Sequence, residues 1–222
     1  MLLLHSMWCL NCKKLSDSLL CPACSAELAA SSFRSLYHDR CEICHQPLLA
    51  QGYRCDYCNF SILAYGPYRG VLKHLIQRYK SGGELLLFTF IASLYHELLR
   101  TLSPVLLIPI PASRQGKRNR GYDQITVICR WLCFTSSYRM VSLFTQQSRE
   151  MQKYMDRRQR LGAKRLHILK KRTGRIQSYL DKGYQAVIID DVMTTGSTMQ
   201  EAQLLFEKCF GQKAILVVLS GM

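Results

Sequence analysis

Eight cysteines fall in the first 58 residues as four CxxC pairs: Cys9 with Cys12, Cys21 with Cys24, Cys41 with Cys44, and Cys55 with Cys58. The gaps between pairs are 8, 16 and 10 residues, and only Cys129, Cys133 and Cys209 lie elsewhere. A CxxC turn aims two thiolates at one point, and two such turns complete a tetrahedral four-cysteine zinc site. Disulfides are disfavoured because MLLLHSMWC carries no basic leader and too short an apolar run for a signal peptide, so a reducing cytoplasm is the expected compartment. A thioredoxin-like redox motif does not come as four pairs in series. The expectation is two structural zinc ions, each with four protein ligands and no open position. Sequential pairing gives Cys9, Cys12, Cys21 and Cys24 to one ion and Cys41, Cys44, Cys55 and Cys58 to the other; an interleaved pairing uses the same ligands, and spacing leaves both open. So short a segment buries little apolar surface, which makes metal the source of its folding energy.

The chain has 222 residues, room for one sizeable domain or a domain with a small appendix, and its 48% apolar content supports a core. No run reaches the roughly 18 apolar residues that a membrane helix needs. Charge is lopsided. Residues 112 to 182 hold 18 Lys and Arg against 4 Asp and Glu, nearly all of the formal +15. Two four-thiolate zinc sites at about −2 each still leave the chain strongly basic. Such a field attracts phosphate esters, pyrophosphate or nucleic acid, although a solvated basic face has the same composition.

Beyond Ile62 the pattern changes. Arg69 to Lys80 places Val71, Leu72, Leu75, Ile76 and Tyr79 on one helical face, and Ser81-Gly82-Gly83 stops it. Glu84 to Arg100 predicts a more buried helix, Val105 to Ile110 a buried strand followed by a turn, and Gly121 to Phe134 a helix in which Trp131 and Phe134 pack. Residues 145 to 165 are very polar and predict a long loop. Tyr184 to Ile189 reads as a strand, Ser197 to Phe210 as a helix ended by Gly211, and Ala214 to Leu219 as a last strand. Alternating strands and helices predict an α/β fold with a mostly parallel sheet and helices on both faces.

One stretch, VIIDDVMTTGSTM, then has a location. Asp190 and Asp191 sit at the carboxyl end of a buried strand, and Thr194, Thr195, Gly196, Ser197 and Thr198 form the turn into the next helix. Ligands of open α/β sheets bind at the carboxyl ends of strands, and free N–H groups at a helix N-terminus bind phosphate. Gly196 permits close backbone approach, and the hydroxyls add donors. The turn has no Lys, which excludes a Walker P-loop. Two carboxylates before a phosphate cradle suit a sugar phosphate with vicinal hydroxyls. A bare strand end with a helix cap explains the hydroxyls but not the paired acids.

This stretch resembles the phosphoribosyl pyrophosphate (PRPP) motif of type I phosphoribosyltransferases: apolar strand, two acids, two residues, then TTG[GS][ST]. The order of CxxC pairs, helical segment, PIPASRQGKRNRGYDQ, basic loop and this motif resembles the competence protein F (ComF) family, whose members are similar to a phosphoribosyltransferase domain behind a double zinc ribbon. The resemblance implies a zinc-ribbon module over residues 1–62 and a type I phosphoribosyltransferase-like domain over 63–222. Arg120 to Gln124 matches the family's RG-aromatic-N-Q with Asp123 in place of Asn. Gln152, Arg157, Arg160 and Leu161 match positions of the basic loop, and Ala163 replaces an Asn.

The resemblance further implies that the 5′-phosphate lies on Thr194 to Thr198 and the ribose hydroxyls on Asp190 and Asp191. Mg2+ accompanies PRPP, and the pyrophosphate lies around Ala112, Ser113 and Arg114. Arg114, Arg157 and Arg160 offset charge on the leaving group. Three functions are compatible with these residues: transfer of phosphoribose to an unknown acceptor, handling of single-stranded DNA in natural competence, and PRPP sensing with other competence proteins held by the ribbon.

Overall fold

The structure is a computed structural model that describes residues 7–36, 62–81, 85–146 and 166–221. In chain order the elements are β1 (Met7–Trp8), β2 (Leu15–Ser16), α1 (Pro22–Ala30), α2 (Phe33–Leu36), β3 (Ile62–Pro67), α3 (Gly70–Ser81), α4 (Leu85–Leu99), β4 (Val105–Pro109) and α5 (Arg114–Arg120). There follow α6 (Gln124–Thr135), β5 (Arg139–Met140), β6 (Phe144–Gln146), β7 (Leu166–Ile168), α7 (Thr173–Asp181), β8 (Gln185–Ile189), β9 (Val192–Met193), α8 (Ser197–Phe210) and β10 (Ile215–Gly221). The fold is α/β, with a mostly parallel six-stranded sheet flanked by helices. Two compact units share it: Met1–Arg100 with Asp191–Thr194 and Val217–Met222, and Thr101–Asp190 with Thr195–Leu216.

In the first unit β3 lies beside β10, and β9 pairs with β10 in parallel, Val192 opposite Ser220. Helix α3 buries Val71, Leu72, Leu75, Ile76 and Tyr79, the stripe its periodicity predicts. Its N-terminus is capped from another helix. Glu27 of α1 accepts from Val71 N–H at 3.3 Å. Gly70 opens α3 at φ +53°, where a Cβ would lie 2.7 Å from that carboxylate.

In the second unit β4 pairs in parallel with β5 on one side and β8 on the other. Every residue of β4 is buried, as are Ala186 to Ile189 of β8. A strand covered on both faces reads as a continuous apolar run, and this is why VLLIP and AVII are legible as strands. Helix α6 lays Ile125, Ile128, Cys129 and Leu132 against the sheet, and α8 lays Met199, Ala202, Gln203 and Phe206. Trp131 and Phe134 depart from the expected packing. They sit at the surface, Phe134 85% exposed, with ring centroids 6.2 Å apart. Among the described residues no helix is long and apolar enough to cross a membrane.

Buried Gln203 grips the start of β10. Its Nε2 donates to Ala214 O at 2.9 Å and its Oε1 accepts from Ala214 N–H at 3.1 Å. Gln203→Leu leaves both backbone groups buried without partners and should cost roughly 1–3 kcal/mol. Urea unfolding should show a lower midpoint at unchanged slope.

Candidate functional site

Cys9, Cys12, Cys21 and Cys24 converge, with their four Sγ atoms all within 4.8 Å of one another. Cys12 and Cys21 Sγ are 3.6 Å apart, close to the ~3.8 Å edge of a tetrahedron with ~2.3 Å zinc–sulfur bonds. The local chain makes this cluster. Lys13 takes a left-handed φ of 62°, and its N–H donates to Cys9 O at 3.1 Å, which turns the first CxxC back on itself. Cys21 is the N-cap residue of α1, and its N–H donates to Cys9 Sγ at 3.3 Å. Asn11 Nδ2 donates to Cys24 Sγ at 3.3 Å. Burial raises the Cys9 thiol, but donation from the backbone of Cys21, Cys12 and Asn11 outweighs it and brings it to about 6. Cys24, although Asn11 lowers it, is pushed up to about 12 by burial and the neighbouring thiols. Crowded thiols of this kind fit a thiophilic cation that displaces their protons, such as zinc. The set is the sequential one. Cys41, Cys44, Cys55 and Cys58 lie outside the described residues. Among the described residues no other metal-ligating group of this kind occurs, and His74, His96 and His167 are exposed. Burial pushes the Cys129 thiol well above its ordinary value, as suits a packing residue.

The second constellation lies in the second unit, where β4 and β8 end together. Pro109 is opposite Ile189, and Ile110 N–H donates to Ile189 O at 2.9 Å. Past that rung one chain enters Pro111–Ser113 and α5, and the other enters Asp190. Helix α8 starts at the same end. Gly196 is its N-cap residue at φ 71°, ψ −5°, a left-handed conformation that favours glycine. Thr195 Oγ1 donates to Ser197 Oγ at 3.1 Å, and both residues are exposed. Gly196 has no side chain to cap the helix, which leaves the first N–H groups of α8 facing the hydroxyl-rich turn.

The turn after β4 is built by Asp123. Its carboxylate accepts from Ala112 N–H at 2.9 Å, caps α6 by accepting from Thr126 N–H at 3.2 Å, and pairs with Lys117 Nζ at 3.0 Å. Ser113 caps α5, its Oγ accepting from Gly116 N–H at 3.0 Å. The structure thus brings Ser113 and Arg114 to the same end of neighbouring strands as Asp190, Thr195, Gly196, Ser197 and Thr198.

Asp191 and Thr194 belong to the first unit. Asp191 O accepts from Leu219 N–H at 3.0 Å, and Asp191 Oδ2 pairs with Lys80 Nζ at 2.9 Å. Lys80, which pairs with Asp191, and Asp123, which holds the turn at Ala112, were given no role by sequence reasoning. The Asp123 cap had a signal in its place just before the α6 helix; the Lys80 pairing had none.

Arg157 and Arg160 lie outside the described residues, but the ends of their segment are anchored in the second unit. Strands β6 and β7 pair antiparallel, Gln146 opposite Leu166. Gln146 Nε2 donates to Pro111 O at 2.7 Å, and Leu166 N–H donates to Glu201 of α8 at 3.1 Å. Gln146 is thus tied to the turn after β4 and Leu166 to α8.

Two curated proteins are similar to this chain. Competence protein ComFC of Streptococcus pneumoniae (strain ATCC BAA-255 / R6) is 25% identical over 200 residues, 86% of this chain and 83% of that protein. Competence protein ComFC of Bacillus subtilis (strain 168) is 24% identical over 145 residues, 64% of this chain and 56% of that protein. No family model matches the chain. The two likenesses support the ComF family.

The cysteine cluster yields a direct test. Cys24→Ser should reduce bound zinc, read by elemental analysis, by about one equivalent per chain. Helical ellipticity should fall with it, because α1 carries Cys24 and caps α3. Unchanged zinc content would remove Cys24 from the metal site.

Proposed function

We propose that this chain is a PRPP-binding, phosphoribosyltransferase-like protein that acts in natural competence. The observation that carries the reading is the shared end of β4 and β8. There the Ser113–Arg114 turn and the Thr195–Thr198 turn flank Asp190. The similarity to two proteins named for competence supports the cellular role. Residues 1–62 are read as a double zinc-ribbon module, with a second ion on Cys41, Cys44, Cys55 and Cys58, and residues 63–222 as the phosphoribosyltransferase-like domain.

In this reading the α8 turn holds the 5′-phosphate through N–H groups and hydroxyls. Asp190 and Asp191 accept from the two vicinal ribose hydroxyls. Lys80 Nζ pairs with Asp191 Oδ2 and aims that carboxylate, and α3 supplies the lysine from its last turn, where a cation is favoured. The carboxylates of Asp190 and Asp191 are hard oxygen donors of the kind that suit Mg2+, which when bound with PRPP neutralises charge on the pyrophosphate. Breaking the bond between C1 of the ribose and the pyrophosphate oxygen leaves positive charge on the sugar and negative charge on the leaving group. Arg114, with Arg157 and Arg160 from the basic segment, offsets the latter.

Calorimetric titration of the zinc-loaded chain with PRPP and Mg2+ tests the site. Saturable binding is expected, and Asp190→Asn with Asp191→Asn should abolish it at unchanged zinc content. Equal binding by the double variant would remove the ribose assignment.

A second reading, a factor that binds single-stranded DNA, is favoured by the formal +15 and by the exposed Trp131–Phe134 pair, since bases stack on aromatic rings above a basic surface. Replacing Arg157, Arg158 and Arg160 by Gln should weaken binding of an oligonucleotide and flatten the slope of its salt dependence by about two, at ~0.7 per phosphate contact on a single strand. No change in either would exclude these residues from a DNA surface.

A further inference from the structure

We infer that Arg120 is an anion-binding residue of the turn after β4, held in place by the missing side chain at Gly116, and that its ligand is a pyrophosphate or phosphate-ester group. Gly116 and Arg120 are one helical turn apart on α5 and so share a face. Side chains on a helix point back toward its N-terminus, and the Arg120 guanidinium follows that direction. A Cβ at Gly116 would lie 2.6 Å from Arg120 Nη2 and 3.2 Å from Cζ. The same point is 3.1 Å from Ser113 Oγ. The guanidinium therefore occupies the space that glycine leaves open, beside the residue that caps the helix.

Two other polar groups of this turn are committed. Lys117 is paired with Asp123, and Ala112 N–H donates to that same carboxylate. Arg120 Nε, by contrast, is buried and has no hydrogen-bond partner among the described residues. Laying a long cation along its own helix costs rotamer freedom, and burying a donor without a partner costs more. An anion at the turn offsets both. The planar fork of a guanidinium matches two phosphate oxygens at once, which the point charge of a lysine does not. Resting on the reading of PRPP as the ligand, the group that Arg120 meets is the diphosphate, since the 5′-phosphate belongs to the α8 turn.

The test titrates the zinc-loaded full chain, with Mg2+, against inorganic pyrophosphate, PRPP and ribose 5-phosphate. Arg120→Met should weaken pyrophosphate and PRPP about tenfold or more, the loss expected for a hydrogen-bonded charge, and leave ribose 5-phosphate unchanged. Arg120→Lys should recover only part of it. Gly116→Ala should reproduce the defect while the fold stands, because its Cβ meets the far end of a flexible side chain and alanine favours the helix. In an Arg120→Met background, Gly116→Ala should add nothing further. Unchanged pyrophosphate affinity in Arg120→Met, or an equal effect of Gly116→Ala with and without Arg120, overturns the inference. Pyrophosphate binding lost in Arg120→Met, in a parent that ignores ribose 5-phosphate, sustains Arg120 and instead removes the ribose reading.

Discussion

The parallel ladder between Val105–Pro109 and Gln185–Ile189 is the constraint from which the second unit is built. Leu106, Leu107, Ile108, Val187, Ile188 and Ile189 are all fully buried, and each such side chain contributes about 1.5–3 kcal/mol by leaving water. Five opposed pairs, from Val105 with Gln185 to Pro109 with Ile189, set its register. Register decides where the ladder stops, and its last rung is Ile110 N–H to Ile189 O. Beyond it the two segments no longer pair with each other, and each finds other partners for its polar groups. This is where the sequence changes from apolar to Ser113, Arg114, Asp190 and the hydroxyl turn.

Asp123 shows how a single carboxylate can set the geometry of such a turn. Its two oxygens accept from two backbone N–H groups on different segments, Ala112 and Thr126, and Lys117 balances the charge. Asparagine has one acceptor oxygen and an NH2 group that cannot accept, so it could not make both bonds in this way. The aspartate that departs from the RG-aromatic-N-Q pattern is therefore matched by a lysine on the helix just before it. The charge it brings is compensated locally, and the neighbouring cation Arg120 keeps a different direction.

Legibility followed burial and length. The α3 stripe, the α8 helix with its Gly211 stop, and strands β4 and β8 were readable because long periodic or continuous apolar runs leave few alternatives. Helix α5 was not readable, since RQGKRNR buries nothing and forms through the Ser113 cap. Helix α7 buries only Ile176, too little for a periodic signal. Strands β5, β6, β7 and β9 are two or three residues long, and their neighbours in space define them. Strand β3 carries Gly66 and ends at Pro67, which hides it; Gly66 is there because a Cβ would lie 2.9 Å from Ser31 O. The acids and hydroxyls of the candidate site were legible as a local motif. Lys80 was not, since its contact with Asp191 joins segments far apart in the chain.

The cysteine cluster is more than a self-contained appendage, and the first unit shows why. Cys21 and Cys24 fix the start of α1, and Glu27 in the next turn of that helix reaches across to cap α3 at Val71. A carboxylate at a helix N-terminus is favoured by the helix dipole, as is a cation in the last turn, and α3 has both, Glu27 at one end and Lys80 at the other. Lys80 then holds Asp191, whose backbone carbonyl is held by β10. A continuous set of short contacts thus runs from the four-cysteine cluster, through two helices, to one of the paired acids. Whatever holds the four thiols together also holds the start of α1, and through Glu27 and α3 it bears on the position of Asp191.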